Sequence, residues 1–243
     1  MSDLFDVSAV FFTVLGYPMS YVEFFGTVLY LWSVWLIAQR NLLTWPVGIA
    51  SVLLYMALFY QIRLYADALE QVYYLGASIY GWWYWSRSRP EPQAPVEVRY
   101  SSGGALLGWL AATVALATAL GWALGRAHVW SPALFPEPAS YPYLDALTTV
   151  MSLVAMWLMA RKGTESWLYW IAVDLVGIGL YYAKGIKFVA LLYALLLALA
   201  IRGWLAWSRT SGRRAGASEP SVEPAALAPV AGAAPLSGAS QPE

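Results

Sequence analysis

Residues 79–87 read IYGWWYWSR and residues 201–209 read IRGWLAWSR, so one aromatic motif occurs twice, 122 positions apart. At that offset, residues 21–88 align with residues 143–210 without a gap, and 22 of the 68 pairs are identical. Shared apolar composition matches leucine to leucine by chance, but it does not reproduce the spacing of several tryptophans. Trp35 aligns with Trp157, and Trp45 aligns with Trp167. The chain therefore contains an internal repeat.

The composition is that of a membrane protein. Hydrophobic residues make up 60% of the chain and charged residues only 12%, whereas a soluble domain carries about 25% charged residues. The 14 Trp and 17 Tyr suit aromatic belts at membrane interfaces. A net charge of zero gives no attraction for nucleic acid. The absence of cysteine excludes disulfides, and a single histidine cannot form a His-based metal site.

Seven stretches have the length and apolar character of membrane-spanning helices. Each repeat contains three of them, and the fourth lies between the repeats. Because three is odd, this extra crossing returns the second repeat to the orientation of the first. The sequence therefore predicts an all-α membrane protein with two parallel repeats in a 3+1+3 arrangement, the plan of SWEET-type sugar transporters. The stretches are Tyr21–Ala38, Leu43–Gln61, Leu64–Trp85, Ala105–Leu124, Tyr143–Ala160, Trp167–Ala183 and Lys187–Trp207.

These stretches divide the chain into five predicted units. The first repeat is residues 21–88, the linker helix residues 104–125 and the second repeat residues 143–210. Residues 1–20 are predicted to form an interfacial segment, with a short helix over Val7 to Leu15. Residues 211–243, rich in Ala, Pro, Ser and Gly, are predicted to form a disordered cytoplasmic tail.

Lysine and arginine in the connections predict the orientation, because cytoplasmic loops carry the excess. Nine lie on one side and four on the other. We expect an inner (plasma) membrane protein of bacteria with its N-terminus outside and its C-terminus in the cytoplasm. The nine are Arg40, Arg87, Arg89, Arg99, Arg161, Lys162, Arg209, Arg213 and Arg214, and the four are Arg63, Arg126, Lys184 and Lys187.

Asp174 is the acidic residue nearest the middle of a predicted span. Trp167, Trp170 and Asp174 stand at i, i+3 and i+7 and therefore share one helix face. Two indoles beside a carboxylate suit a flat cationic ligand that also offers hydroxyl groups. The alternative is that Asp174 only pairs with a lysine or hydrogen-bonds a neighbouring helix. Acidic residues at this depth in the membrane are rare and usually functional, which favours a ligand site.

A polar stripe in the third predicted helix forms a second candidate wall. Asp67, Gln71, Tyr74 and Ser78 recur at helical spacing, and Glu70 lies off this stripe, where it would serve an outer vestibule. Hydrogen bonding between helices explains such a stripe equally well.

Sequence motifs of enzymes are absent. There is no phosphate-binding loop, no Gly-x-Ser-x-Gly and no His-Glu-x-x-His. We therefore expect a protein that is not an enzyme and needs neither cofactor nor metal.

Four motifs resemble those of the Pnu family of bacterial vitamin transporters. The resemblance covers roughly residues 20–210 and implies a fold related to SWEETs. It also implies substrate-site roles for Trp167, Trp170, Asp174, Gln71 and Tyr193, the last of which aligns with Gln71 in the repeat. Trp45, the counterpart of Trp167, joins the candidates with Tyr74 and Ser78. The motifs are WPVGI at 45–49, YADALEQ at 65–71, YGWWYW at 80–85 and WxxWxxxD at 167–174.

The same resemblance implies facilitated diffusion of a vitamin, nicotinamide riboside first, with trapping by a cytoplasmic kinase. Thiamine is the nearest alternative, because both molecules carry a cationic aromatic ring. A SWEET-like sugar transporter and a membrane-embedded ligand sensor are further alternatives. Expected partners are the vitamin and membrane lipid, with a homotrimer left open, and nucleic acid is not expected.

Overall fold

The computed structural model describes residues 9–14, 16–87, 96–133 and 135–217, with the side chains of the last helix as far as residue 211. The seven predicted helices are confirmed. A two-stranded antiparallel sheet precedes them. The elements are β1 (Val10–Val14), β2 (Tyr17–Ser20), α1 (Tyr21–Ala38), α2 (Thr44–Gln61), α3 (Tyr65–Arg87), α4 (Gly103–Trp130), α5 (Pro142–Ala160), α6 (Ser166–Ala183) and α7 (Lys187–Ala217).

Six of the seven described helices are long and apolar enough to cross a membrane. The exception is α3, which has sufficient length but carries Asp67, Glu70 and Gln71 in its first two turns. Polar side chains are tolerated at membrane depth where they face other helices or a cavity rather than lipid. The polar side chains of α3 are therefore expected to face other helices or a cavity.

The turns that follow equivalent helices have the same backbone conformation. Arg40 after α1 has φ 59° and Lys162 after α5 has φ 67°. Arg63 after α2 has φ 63° and Gly185 after α6 has φ 75°. Each pair is 122 residues apart, and positive φ is uncommon outside glycine. The two halves of the chain therefore leave these helices by the same left-handed turn.

Helix packing follows the same correspondence. Within the first half α2 packs on α1 and α3, and within the second α6 packs on α5 and α7. The halves meet where α1 contacts α7 and where α3 contacts α5. At an offset of 122 residues α1 corresponds to α5 and α3 corresponds to α7, so each of these two contacts is the counterpart of the other. The linker α4 packs mainly on α5.

Four buried tryptophans, Trp45, Trp85, Trp167 and Trp207, form a cluster at one end of the bundle, called here the tryptophan cluster. Trp45 meets Trp85 edge to face at 5.2 Å, and Trp167 meets Trp207 in the same way at 5.4 Å. Trp85 and Trp207 join the two pairs at 6.0 Å. Edge-to-face packing stabilises aromatic pairs beyond the burial of their surface. The side chains near the end of α3 and of the spanning part of α7 therefore meet in this cluster.

Two of these indoles hydrogen-bond across the halves of the bundle. Trp85 donates its Nε1–H to the carbonyl of Ala160 at the end of α5, at 3.0 Å. Trp207 donates to the carbonyl of Ile37 at the end of α1, at 3.1 Å. The last carbonyls of a helix lack partners within that helix. Each half thus caps a helix end of the other.

The N-terminal segment differs from the prediction. A short helix was expected over Val7 to Leu15, and this is wrong for Val10–Val14, which is strand β1. Valine, phenylalanine and threonine favour strands, and Gly16, at φ 82°, allows the turn into Tyr17–Ser20. Residues 1–8 and Leu15 lie outside the described residues.

Two helices extend beyond their predicted ends, because those ends followed membrane thickness rather than helix breakers. The linker was predicted over residues 104–125, but α4 continues to Trp130, close to Pro132, and carries His128 in its last turn. Disorder was predicted from residue 211, but α7 continues to Ala217. The rest of the predicted tail, residues 218–243, lies outside the described residues.

Residues 96–101 form a strap across the turn between α5 and α6. Arg99 pairs with Gly163 in an isolated parallel bridge. Glu165, only 2% exposed, accepts hydrogen bonds from the hydroxyl and the amide N–H of Ser101. A buried carboxylate is costly unless it is hydrogen-bonded. The strap therefore fixes the start of α6, the helix that carries Asp174.

Candidate functional site

Asp174 lies in the middle of α6 with 4% of its surface exposed. Its carboxylate interacts electrostatically with the phenol groups of Tyr30 in α1 and Tyr193 in α7. Helix α6 itself carries no lysine or arginine. A buried carboxylate without a cation is expensive. Asp174 is thus suited to a cation that arrives with a ligand.

Tyr193 owes its position to a glycine on the facing helix. A Cβ on Gly177 would lie 2.5 Å from Cδ1 of Tyr193, so only glycine permits this packing. Tyr193 also stacks on Tyr181, with ring centroids 5.5 Å apart. Asp174 and Gly177 are three residues apart and share the face of α6 turned towards α7. The notch at Gly177 therefore holds the phenol of Tyr193 next to the carboxylate.

The polar stripe of α3 supplies the opposite side. Tyr74 donates its hydroxyl to Oε1 of Glu70 at 2.7 Å and interacts with Ser152 of α5. Gln71 is half-buried and Ser78 is buried on the same helix. Tyr30 has both Asp174 and Glu70 among its electrostatic neighbours. The central polar cluster, as used below, comprises Tyr30, Glu70, Tyr74, Ser152, Asp174 and Tyr193.

The predicted tryptophans lie in two different surroundings. Trp170 is half-buried and lies one turn from Asp174. It packs against the apolar core that contains the tryptophan cluster and against a second apolar core formed by α4, α5 and α6. Trp45 and Trp167 belong to the tryptophan cluster and are 2% and 1% exposed. In the part of the chain that is described, neither indole N–H of this pair has a hydrogen-bond partner. Both therefore keep a donor for a water or a ligand oxygen.

The structure thus joins some predicted site residues and separates others. Asp174, Tyr74 and Tyr193 meet in the central polar cluster, with Gln71 and Ser78 on the same helix as Tyr74. Trp45 and Trp167 lie in the tryptophan cluster. No observation tests binding of a substrate by any of these residues, so their roles stay predictions.

Sequence reasoning missed Tyr30 and Ser152. They are counterparts in the repeat, and each is a polar residue near the middle of its helix. A comparison of polar positions shared by α1 and α5 finds this pair. Glu70 was assigned to an outer vestibule; it accepts a hydrogen bond from Tyr74 one turn further along α3, and its role stays a prediction.

The chemistry of this cluster is that of recognition. Among the described residues no group of three metal-ligating side chains occurs. Carboxylates accept hydrogen bonds and attract cations, and phenol hydroxyls both donate and accept. Such a set suits a ligand with positive charge and several hydroxyl groups.

Comparison with known proteins agrees with this chemistry. The nicotinamide mononucleotide transporter family matches residues 20–209. The chain is 31% identical over 221 residues to the nicotinamide riboside transporter PnuC of Escherichia coli (strain K12), covering 82% of this chain and 91% of that protein. It is also 31% identical over 203 residues to the riboflavin/roseoflavin transporter RibM of Streptomyces davaonensis, covering 83% and 91% respectively.

A solved structure shares the fold. The crystal structure of the vitamin B3 transporter PnuC superposes with a TM-score of 0.62 at 22% sequence identity, covering 79% of this chain and 83% of that one. The family match spans most of the chain, and the resemblance read from the sequence motifs is confirmed. The chain therefore belongs to the nicotinamide mononucleotide transporter family of multi-pass membrane transporters.

Proposed function

We propose that this chain carries nicotinamide riboside across the bacterial inner membrane by facilitated diffusion. A cytoplasmic kinase then traps the imported riboside by phosphorylating it. The observation that carries the proposal is Asp174, a buried carboxylate in the middle of α6, a helix that carries no lysine or arginine. Phenols from α1 and α7 interact with it. Nicotinamide riboside has a positively charged flat ring and ribose hydroxyls. The ring matches the carboxylate, and the hydroxyls match the phenols.

The proposed architecture is two parallel three-helix repeats, residues 21–88 and 143–210, joined by the linker α4. Three observations support it: the exchangeable contacts α1–α7 and α3–α5, the matched left-handed turns, and the reciprocal hydrogen bonds of Trp85 and Trp207. In such transporters the substrate binds between repeats near the midplane. The central polar cluster takes side chains from both repeats.

The proposed orientation follows the positive-inside rule. The end of the bundle with the tryptophan cluster carries Arg87 and Arg209 and faces the cytoplasm, and the N-terminus faces outside. Contact with membrane lipid and a homotrimer stay predictions.

The proposed substrate site combines an electrostatic part and an aromatic part. Asp174 neutralises the ring, and Trp170, one helical turn away and half-buried, stacks on it. The hydroxyls of Tyr74, Ser78 and Tyr193 and the amide of Gln71 bind the ribose. Trp45 and Trp167 contribute through their unpartnered indole N–H groups.

The charge of each ligand named for the family and its relatives decides how well it fits this site. A mononucleotide carries a phosphate, and the two carboxylates of the central polar cluster would repel it. Riboflavin is uncharged and gains no charge pairing from Asp174. Thiamine carries a cationic thiazolium ring, so it is the second candidate of the same class. A neutral sugar gains no charge pairing from Asp174.

Uptake into proteoliposomes tests the proposal. Labelled nicotinamide riboside should enter vesicles containing the protein, and excess unlabelled riboside should compete more strongly than mononucleotide or riboflavin. If thiamine enters while the riboside neither enters nor competes, thiamine is the substrate. Binding without uptake would instead identify a sensor.

An acid-removal pair tests the site. Asp174→Ala should abolish most uptake while the protein stays folded, because the cationic ring loses its counter-charge. Asp145→Ala is the matched control, since Asp145 is an exposed acid in the first turn of α5. Equal uptake by the two variants would show that Asp174 is not in the site.

A further inference from the structure

An apolar groove runs along the seam where α1 of the first half meets α7 of the second. It has a volume of about 210 Å³, and the hairpin of β1 and β2 completes its lining. Both helices face it with side chains three or four residues apart, the spacing of one helix face. These are Phe24, Val28 and Leu31 from α1 and Phe188, Leu191 and Leu195 from α7.

The groove has the dimensions and chemistry of an acyl-chain site. From Phe188 to Leu195 it follows α7 for seven residues, about 10 Å, which fits within one leaflet of about 15 Å. Leu191 and Leu195 are 50% and 49% exposed. The one polar residue among the described residues that line the groove is Thr27, whose hydroxyl hydrogen-bonds that of Tyr55 at 2.7 Å. A hydrophilic ligand would therefore find no unsatisfied side chain here.

The corresponding seam between α3 and α5 is bridged instead of open. At the offset of 122 residues Leu195 corresponds to Tyr73, and Leu31 corresponds to Leu153. Tyr73 donates its hydroxyl to the carbonyl of Leu153 at 2.7 Å. In the seam between α1 and α7 two leucines occupy these positions, and both line the groove. The groove is thus a feature of one of two equivalent seams.

A polar cavity adjoins the groove at Phe188, which lines both. It lies at the turns of Gly16 and Gly185, and nothing stands within 4 Å of a Cβ placed on either glycine. Lys187 carries the only charge among the described residues that line the groove or the polar cavity. An ammonium group therefore stands where the apolar groove begins.

Tyr17 attaches the hairpin to the start of α7 beside this lysine. Its ring stacks on Phe188 with centroids 5.3 Å apart, and its hydroxyl donates to Glu23 at 2.7 Å. Glu23 itself lines neither the groove nor the polar cavity. A ligand that enters the polar cavity consequently meets the positive charge of Lys187.

We propose that the groove and the polar cavity together bind an anionic phospholipid of the membrane. One acyl chain lies in the groove between α1 and α7, and the phosphate contacts the ammonium group of Lys187. Lipid tails are as apolar as the groove, so the chain gains packing, and the lysine supplies the preference for a negative headgroup. The inference holds for any substrate that the protein carries.

Native mass spectrometry of the purified full-length protein measures the lipids it retains from equal amounts of phosphatidylglycerol and phosphatidylcholine with identical chains. Wild-type protein should prefer the anionic phosphatidylglycerol. Lys187→Gln should lower this preference about fivefold, the attraction of one lysine to an anionic membrane surface. Lys184→Gln is the matched control, because Lys184 lines neither cavity. Equal preference in Lys187→Gln and Lys184→Gln would overturn the headgroup assignment.

A second pair of variants tests the groove. Leu195→Tyr copies Tyr73 of the other seam and should remove most of the retained lipid of both kinds, whereas Leu205→Tyr, exposed on the same helix outside the groove, should not. Val28→Phe fills the groove from α1 and serves if Leu195→Tyr does not fold. Undiminished lipid in these filling variants would overturn the acyl-chain assignment.

Two further outcomes would contradict a lipid as the occupant. Glycerol 3-phosphate carries the phosphate without a chain and should not displace phosphatidylglycerol. Displacement at equal concentration would identify a site for soluble phosphates. Wild-type protein that retains no lipid but appears as an oligomer in the same spectra would assign the groove to a second copy of the chain.

Discussion

A single methyl group added at Gly203 should disturb the tryptophan cluster. A Cβ at this position would lie 2.5 Å from Cζ2 and 2.6 Å from Cη2 of Trp167. Carbon atoms in contact normally stand about 3.5–4.0 Å apart, so the ring would have to retreat by about 1 Å. It has little room to do so, because Trp167 is 1% exposed and already packs edge to face on Trp207.

The size of the effect follows from two opposing terms. Replacing a helical glycine with alanine gains about 1 kcal/mol of helix propensity. Overpacking a filled core costs roughly 1–3 kcal/mol, and a rigid indole places Gly203→Ala near the upper end. The net loss is about 2 kcal/mol, which lowers the unfolding temperature of a chain of this length by about 4–8 °C. Gly179→Ala should not carry the overpacking cost, because nothing lies within 4 Å of its added Cβ.

The measurement is the apparent unfolding temperature of the purified protein in detergent at a fixed heating rate, followed by tryptophan fluorescence. Gly203→Ala should unfold below the wild type, and Gly179→Ala at or slightly above it. Gly81→Ala should behave like Gly203→Ala, since its Cβ would lie 2.3 Å from the ring of Trp45. Adding Trp167→Phe to Gly203→Ala should restore part of the loss. Equal unfolding temperatures for Gly203→Ala and Gly179→Ala would refute the packing described for the cluster.

Three further predictions address other parts of the molecule. Trp207→Phe should lower stability by about 1 kcal/mol beyond the effect of lost volume, because the buried hydrogen bond from the indole to the carbonyl of Ile37 is lost and only the N–H groups of the helix end remain as donors; a loss no larger than that of an exposed Trp→Phe change would contradict it. Arg87→Cys and Arg209→Cys should both react with an impermeant thiol reagent from the same side of the membrane, with no background because the wild type has no cysteine; labelling from opposite sides would exclude parallel repeats. Trp170→Ala should weaken riboside binding by about 1–3 kcal/mol through lost stacking. Unchanged affinity in titrations would show that the ring does not stack on Trp170.

Much of the fold could be predicted because its signals are local. The limits of α1, α2, α5 and α6 were predicted to within two residues, since apolar runs and polar turns mark them directly. The same logic failed at α4 and α7, where the helix continues past the apolar run. It also failed at β1, where a run too short to span a membrane was assigned to a helix although its β-branched and aromatic residues favour a strand.

The sequence by itself determined the internal repeat, the seven helices and the membrane environment, because each depends on composition or spacing along one chain. It also singled out Asp174 as an acid in mid-span, whose role stays a prediction. Only the tertiary structure decided which side chains meet. It placed Trp167 in the tryptophan cluster, brought Tyr30 and Tyr193 to Asp174, and joined Glu70 to Tyr74. Helical spacing gives the face on which a residue lies, but neighbouring helices decide what that face contacts. Those neighbours are brought together by packing between segments that are far apart in the chain.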